Sequence, residues 1–88
     1  MIVSKFLIER LENAGLKHVF GLPGDYVLDF YKELWDSKKI KVINNTDEAH
    51  SGFAADAYAR MNGIGCVVLT YSVGASKAIN AIQCAYAE

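Results

Sequence analysis

Proline occurs once in this chain, at position 23, and cysteine only twice, at 66 and 84. No proline-rich, glycine-rich or low-complexity stretch marks a linker, and no internal repeat is present, which excludes solenoid architectures. Cys66 and Cys84 sit in apolar stretches without CxxC or Cys/His spacing, which favours two buried, reduced thiols over a disulfide or a metal site. Such thiols point to a reducing, cytoplasmic setting. No apolar run approaches the roughly 18 residues of a membrane helix. The start, Ile2-Val3-Ser4-Lys5, lacks the basic region, apolar core and small-residue cleavage site of a secretory signal. No basic block is longer than Lys38-Lys39 and the formal net charge is -1, which gives no reason to expect nucleic acid or an anionic membrane as partner.

What is present is a globular composition, 52% hydrophobic and 22% charged, in 88 residues. That length allows one small domain of marginal stability, because a small domain buries a smaller fraction of its surface than a large one. Helical and strand-like patterns alternate. Val3, Phe6, Leu7, Leu11 and Ala14 recur at helical spacing, and Gly15 stops that helix. His18-Val19-Phe20 reads as a short strand, followed by a turn at Gly21-Leu22-Pro23-Gly24-Asp25. A second helix is expected from Asp25 to Ser37, a second strand from Ile40 to Ile43, and a third helix from Glu48 to Met61 behind the capping residues Asn44, Asn45, Thr46 and Asp47. Cys66 to Thr70 is a continuous apolar run, as expected of a parallel strand covered on both faces, and a last helix runs from Val73 to the end. The order αβαβαβα predicts an α/β fold, an open parallel sheet with helices on both faces.

The last helix is apolar on nearly every side, through Ala75, Ala78, Ile79, Ala81, Ile82, Cys84, Ala85 and Tyr86. Such a helix should be covered all round. Two explanations compete: the surface joins an oligomer, or Glu88 is a truncation point and further strands follow it. Truncation is the expectation, with oligomerisation in the complete protein as well.

In a parallel α/β sheet, ligands gather beyond the carboxyl ends of the strands. Three loops fall there: Gly21 to Asp25, Asn44 to Glu48, and Thr70 to Gly74. Asp25 could serve only as a helix cap, and Glu48, three residues after Asn45, could belong to a capping box. Spacing alone makes neither of them catalytic. Gly21-Leu22-Pro23-Gly24 lacks the ending of a P-loop, and Gly63-Ile64-Gly65 precedes a strand where a dinucleotide fingerprint should follow one. His18 reads as structural, hydrogen-bonded near the sheet end. His50 could face the site or fill a packing gap. Phe30, Tyr31, Trp35, Phe53 and Tyr58 read as core, and Asp56 and Arg60 as a local ion pair.

Four segments carry a family resemblance. The run Val19-Phe20-Gly21-Leu22-Pro23-Gly24-Asp25-Tyr26 resembles the first conserved turn of pyruvate and indolepyruvate decarboxylases. The stretch from Asp47-Glu48-Ala49-His50-Ser51-Gly52 to Asp56-Ala57-Tyr58-Ala59-Arg60 is similar to their glutamate-bearing helix, with Ala57 where a glycine is common. Leu69-Thr70-Tyr71-Ser72-Val73-Gly74-Ala75 and Ala85-Tyr86-Ala87-Glu88 resemble the third strand, its turn and the next helix. The resemblance is collinear over essentially the whole chain.

It implies that residues 1–88 are the N-terminal part of the pyrimidine-binding domain of a thiamine diphosphate-dependent 2-oxo-acid decarboxylase, a carbon–carbon lyase. Glu48 would share a proton with the pyrimidine N1′ and so activate the cofactor. Asp25 would stand beside the substrate for proton transfer. Thr70, Ser72, Val73 and Gly74 would approach the aminopyrimidine. The resemblance also implies a pyruvate- or indolepyruvate-type substrate, an aldehyde and carbon dioxide as products, and a homodimer or homotetramer with each site shared between subunits. The paired histidines, the diphosphate grip and the magnesium ligands would lie beyond position 88, leaving this chain inactive alone and without a metal site of its own. Two other readings stay open: a non-catalytic docking module completed by a separate partner, and an acetolactate synthase-like carboligase. An acidic residue at position 25 disfavours the carboligase.

Overall fold

The computed structural model describes residues 2–88, and of Ile2 and Asp25 the backbone only. Helix α1 covers Ile2–Asn13, strand β1 His18–Gly21, helix α2 Leu28–Asp36, strand β2 Lys41–Asn44, helix α3 Glu48–Asn62, strand β3 Val67–Val68, helix α4 Val73–Lys77 and helix α5 Ile79–Ala87. The strands form one parallel sheet in the order β2-β1-β3. Phe20 pairs with Ile43 on one side and Val67 on the other. This is the α/β open parallel sheet that the alternating pattern predicts.

Period-two alternation along β1 sends neighbouring side chains to opposite faces. Val19 is fully buried in a core with Ile8, Leu16, Tyr31, Leu34 and Ile40, residues of α1, α2 and their flanking loops. His18 and Phe20 turn the other way, and both rings meet Tyr58 of α3 edge-on, at 5.3 and 5.5 Å between centroids. Right-handed crossovers explain the two layers. The chain moves from β1 to β2 in one direction and from β2 back past β1 to β3 in the other, so its connecting helices must lie on opposite faces.

Both α1 and α3 end in glycines that adopt left-handed backbone, Gly15 at φ 96° and Gly63 at φ 97°, a conformation costly for any other residue. Gly21 is required for a different reason. A Cβ there would collide with the Val68 carbonyl and the Tyr31 hydroxyl. That hydroxyl donates to the Val68 carbonyl oxygen at 2.6 Å and ties α2 to β3 across the end of β1. Burial, with a smaller contribution from Cys66, pushes the Tyr31 phenol up to about 12, so it remains a donor at any ordinary pH.

Several element boundaries differ from the pattern. Asp25 opens a single 3-10 turn, Asp25–Val27, and α2 begins only at Leu28. The N-cap positions of these two elements fall on Gly24 and Val27, so the backbone does not place Asp25 at a cap. β3 is shorter than the apolar run from Cys66 to Thr70, because only Val67 and Val68 pair with β1. The expected last helix is broken at Ala78, where the Ala78 N–H bonds the Ala75 carbonyl at 3.0 Å. No glycine or proline marks that break. It coincides with the seating of Ala78 and Ala81 on Gly52 of α3, where a Cβ would stand only 2.7 Å from the Ala81 Cβ.

The cover expected for the last helix is incomplete. Ala78 and Ala81 are buried, whereas Val73, Ile79, Ile82 and Tyr86 are exposed, Tyr86 at 93%. Trp35 and Phe53, taken as core from the sequence, are about half exposed (51% and 44%), while Tyr31 is fully buried. His18 holds the structural place expected of it, with Nδ1 3.2 Å from the Tyr58 hydroxyl. Arg60 grips Asp56 with two guanidinium nitrogens and reaches the Glu88 carboxylate at 3.0 Å. Cys66 and Cys84 are free and partly buried, and burial pushes the Cys66 thiol up. Among the described residues, no helix is long and apolar enough to cross a membrane.

Candidate functional site at the carboxyl edge

Strand order β2-β1-β3 places a topological switch point between β1 and β3, where consecutive connections leave in opposite directions and a crevice opens beyond the strand ends. The loops after β1 and β3 meet there. A groove of about 360 Å³ is lined by Gly24, Tyr26, Thr70, Tyr71, Ser72 and Val73. The Tyr26 and Tyr71 rings cross edge-on at its rim, 4.9 Å apart, and both are exposed. Two wider depressions, about 440 and 420 Å³, open at the amino ends of the strands among Lys38, Lys39, Lys41 and Lys17. They present ammonium groups and carry none of the candidate carboxylates, and they lie at the wrong end of the sheet for a ligand of this fold.

The β2–α3 loop brings Glu48 to the same edge. Asp47 caps α3 by accepting the His50 backbone N–H at 2.9 Å, and Glu48 is the first helical residue. The Asn45-centred capping box is thereby replaced. Asn45 instead accepts from the buried Ser51 hydroxyl at 3.1 Å, which also donates to the Asp47 carbonyl. His50 turns to the Thr46 hydroxyl, 2.7 Å away, rather than into the groove. The His50 N–H, the His50 ring and Lys77 hold the Asp47 carboxyl below the usual aspartate range.

Glu48 is thus released from local duties. It is half-buried, and its carboxylate makes no hydrogen bond or ion pair among the described residues. Its side chain lies against Gly74: a Cβ on Gly74 would stand 3.7 Å from the Glu48 Cγ and 3.8 Å from Oε2. Gly74 in turn touches Thr70, and Thr70 touches Gly24. Glu48, Gly74, Thr70 and Gly24 form one continuous row across three loops. Ser72, inside the tight turn, carries φ 60° and ψ -99°, the only non-glycine residue among those described with positive φ. Such backbone is strained in an L-residue, and strain of this kind concentrates at ligand sites.

Of the sequence-derived candidates, the structure brings Glu48, Thr70 and Gly74 together in that row, with Ser72 and Val73 on the adjoining groove wall. The Asp25 side chain lies outside the described residues; its backbone follows Gly24 directly. Tyr26 and Tyr71 escape reading from sequence as groove residues, since nothing local pairs them. Only the convergence of two loops does. Among the described residues, no group of three His, Cys, Asp or Glu side chains could hold a metal ion.

An unpartnered carboxylate faces a surface kept flat by the missing Cβ of Gly74, beside a groove that the turn from Thr70 to Val73 walls. A family model described as the thiamine pyrophosphate enzyme N-terminal TPP binding domain matches residues 1–88. The chain is 41% identical over 86 residues to an alpha-keto-acid decarboxylase of Mycobacterium leprae, covering 98% of this chain and 15% of that protein. It is 40% identical over 91 residues to a putative pyruvate decarboxylase of Schizosaccharomyces pombe, covering 100% of this chain and 16% of that protein. It is 40% identical over 86 residues to pyruvate decarboxylase isozyme 2 of Saccharomyces cerevisiae, again covering 98% and 15%. The chain therefore spans about 15% of the length of the curated relatives it matches. With the parallel sheet and a match along its entire length, the chain belongs to the thiamine pyrophosphate enzymes, matching their N-terminal TPP binding domain.

Proposed function

We propose that residues 1–88 form the pyrimidine-binding edge of a thiamine diphosphate-dependent decarboxylase acting on a 2-oxo acid. The observation that carries this reading is Glu48, a half-buried carboxylate at the strand ends that no cap, ion pair or hydrogen bond among the described residues consumes. The relatives' names favour pyruvate or another alpha-keto acid as substrate class. Bound thiamine diphosphate would supply an acidic ring C–H and a sink for the electrons released when carbon dioxide leaves.

The protein's part is proton placement and shape. Glu48 would hold a proton at the pyrimidine ring nitrogen, acting as a positioned acid–base group. Thr70, Ser72, Val73 and Gly74 would form the wall against which the aminopyrimidine rests. Asp25, at the start of the turn beside Gly24, would handle a proton at the substrate. Residues outside 1–88 would hold magnesium and the diphosphate, and a second subunit would complete the site. The exposed Val73, Ile79, Ile82 and Tyr86 support such an assembly. A cytoplasmic location accords with this chemistry.

The test is a chimera in which residues 1–88 replace the matching stretch of the yeast isozyme. Glu48→Gln in that chimera is expected to slow hydrogen–deuterium exchange at the cofactor's C2 by about 100-fold or more, the scale of a positioned acid–base group. Exchange at the unaltered rate would overturn the proposal.

A further inference from the structure

Thr70 stands where the three loops meet, and its contacts are steric. A Cβ on Gly24 would lie 2.9 Å from the Thr70 Cβ, and a Cβ on Gly74 would lie 2.8 Å from the Thr70 Cγ2 methyl. Both distances are below what real Cβ atoms tolerate, so Thr70 is wedged between two positions that must be glycine. The Thr70 hydroxyl makes no hydrogen bond among the described residues, and the residue is half-buried on the groove wall. Only three residues separate Thr70 from Gly74, and the turn that returns Gly74 to the Thr70 methyl passes through Ser72 at φ 60°. The backbone accepts strain to make this contact.

Gly24 directly precedes Asp25, and Gly74 carries the Glu48 side chain on its open face. We infer that Thr70 is a positioning residue whose methyl group sets the separation between the Glu48 carboxylate and the Asp25 loop, acting by shape and not through its hydroxyl. This rests on the proposed role of Glu48. It adds a steric cause to the spacing of the two carboxylate-bearing loops, whose bases are already tied by the Asn45 N–H donating to the Gly21 carbonyl at 3.2 Å.

The geometry specifies an asymmetric pattern of rescue. Gly74→Ala drives a Cβ into the Thr70 methyl, and Thr70→Ser removes that methyl. The next neighbours of the new Cβ, the Glu48 Cγ and Oε2, stand at ordinary contact distance. Gly24→Ala collides instead with the Thr70 Cβ, which serine keeps. In the chimera, Gly74→Ala should slow C2 exchange by about 100-fold, the usual cost of displacing a reacting group by about 1 Å. Adding Thr70→Ser should restore the rate to within about threefold of Thr70→Ser alone. Gly24→Ala should be slowed similarly and gain nothing from Thr70→Ser. Gly74→Ala carrying Thr70→Val, which keeps the methyl and drops the hydroxyl, should stay as slow as Gly74→Ala and bind thiamine diphosphate no more tightly than it.

Rescue of both glycine variants by Thr70→Ser, or of neither, refutes the wedge, as does recovery of Gly74→Ala by Thr70→Val. If Glu48→Gln leaves exchange untouched, the functional reading falls and this inference with it. If Glu48→Gln is slow while Gly74→Ala is not, only the wedge falls.

Discussion

The two faces of the sheet are built on different terms. On the α1/α2 face, Val19, Leu16, Leu34 and Tyr31 are buried to 1% exposure or less, and the Tyr31 hydroxyl carried into that core has its acceptor. On the opposite face α3 meets α5 through small residues, Gly52, Ala55, Ala78 and Ala81, while Ile79 and Ile82 stay exposed. The first face closes around these side chains and leaves Val3, Phe6 and Leu7 of α1 and Trp35 of α2 exposed on its outer side. The second brings helices close enough to align the loops above them and leaves apolar surface for something else to cover. Large interlocking side chains determine a core by their volume; small ones determine a distance of approach.

The sharpest way to break the closed face is Gly21→Ala. The added methyl meets the Val68 carbonyl and the Tyr31 hydroxyl at once, and neither is the free end of a mobile side chain. Overpacking of this kind costs upward of about 3 kcal/mol. In a domain this small that is expected to abolish the cooperative unfolding transition seen by circular dichroism. A transition shifted only slightly would show that β1 and β3 can separate without loss of the core.

On the open face, Gly52→Ala sets a Cβ 2.7 Å from that of Ala81. The expected cost is about 1–3 kcal/mol. Because the contact is methyl against methyl, Ala81→Gly in the same chain should recover most of it, as measured by urea midpoint. No such partner substitution can recover Gly21→Ala, and this difference in rescue separates the two faces more cleanly than their absolute costs.

Smaller again is Tyr31→Phe, which leaves the ring in place and deprives the Val68 carbonyl of its donor. A loss of about 1–2 kcal/mol is expected in chemical unfolding. A neutral result would mean that water replaces the phenol and that the β3 end of the core is wetter than its burial implies.

The elements of both faces were legible in the sequence because each is signalled locally: apolar residues at helical spacing and a glycine stop at 15 for α1, capping residues ahead of α3, an unbroken apolar run for β3. What was not legible depends on contacts between distant residues. The break at Ala78 has no glycine or proline to announce it, since it follows the seat of α5 on Gly52. The length of β3 is set by how far β1 runs beside it, so two residues pair out of an apolar run of five. For the site, Glu48, Thr70 and Gly74 could be named from resemblance, but not why Glu48 is free. The sequence offers Asn44, Asn45, Thr46 and Asp47 alike as caps, and only the folded backbone singles out Asp47, one residue before Glu48. Trp35 and Phe53 were misjudged as core because aromatic spacing on a helix does not say which flank meets the sheet.

The smallest expected effect concerns that cap. Asp47 accepts the His50 N–H and lies 3.7 Å from the Lys77 ammonium, and both favour its ionised form. A carboxyl held below its unfolded value adds stability above the unfolded aspartate value of about 3.9, and that stability is lost as pH falls through the lower folded value. Asp47→Asn keeps a side-chain oxygen for the cap and removes only the titration. The two proteins should therefore melt furthest apart near neutral pH, with the aspartate form more stable, and converge as the pH is lowered below about 3.9. Glu48 must stay uninvolved for this to hold. If Asp47→Asn instead leaves a pH-dependent gap of the opposite sign, the first turn of α3 has recruited Glu48 as a substitute cap, and the carboxylate at the groove would no longer be free.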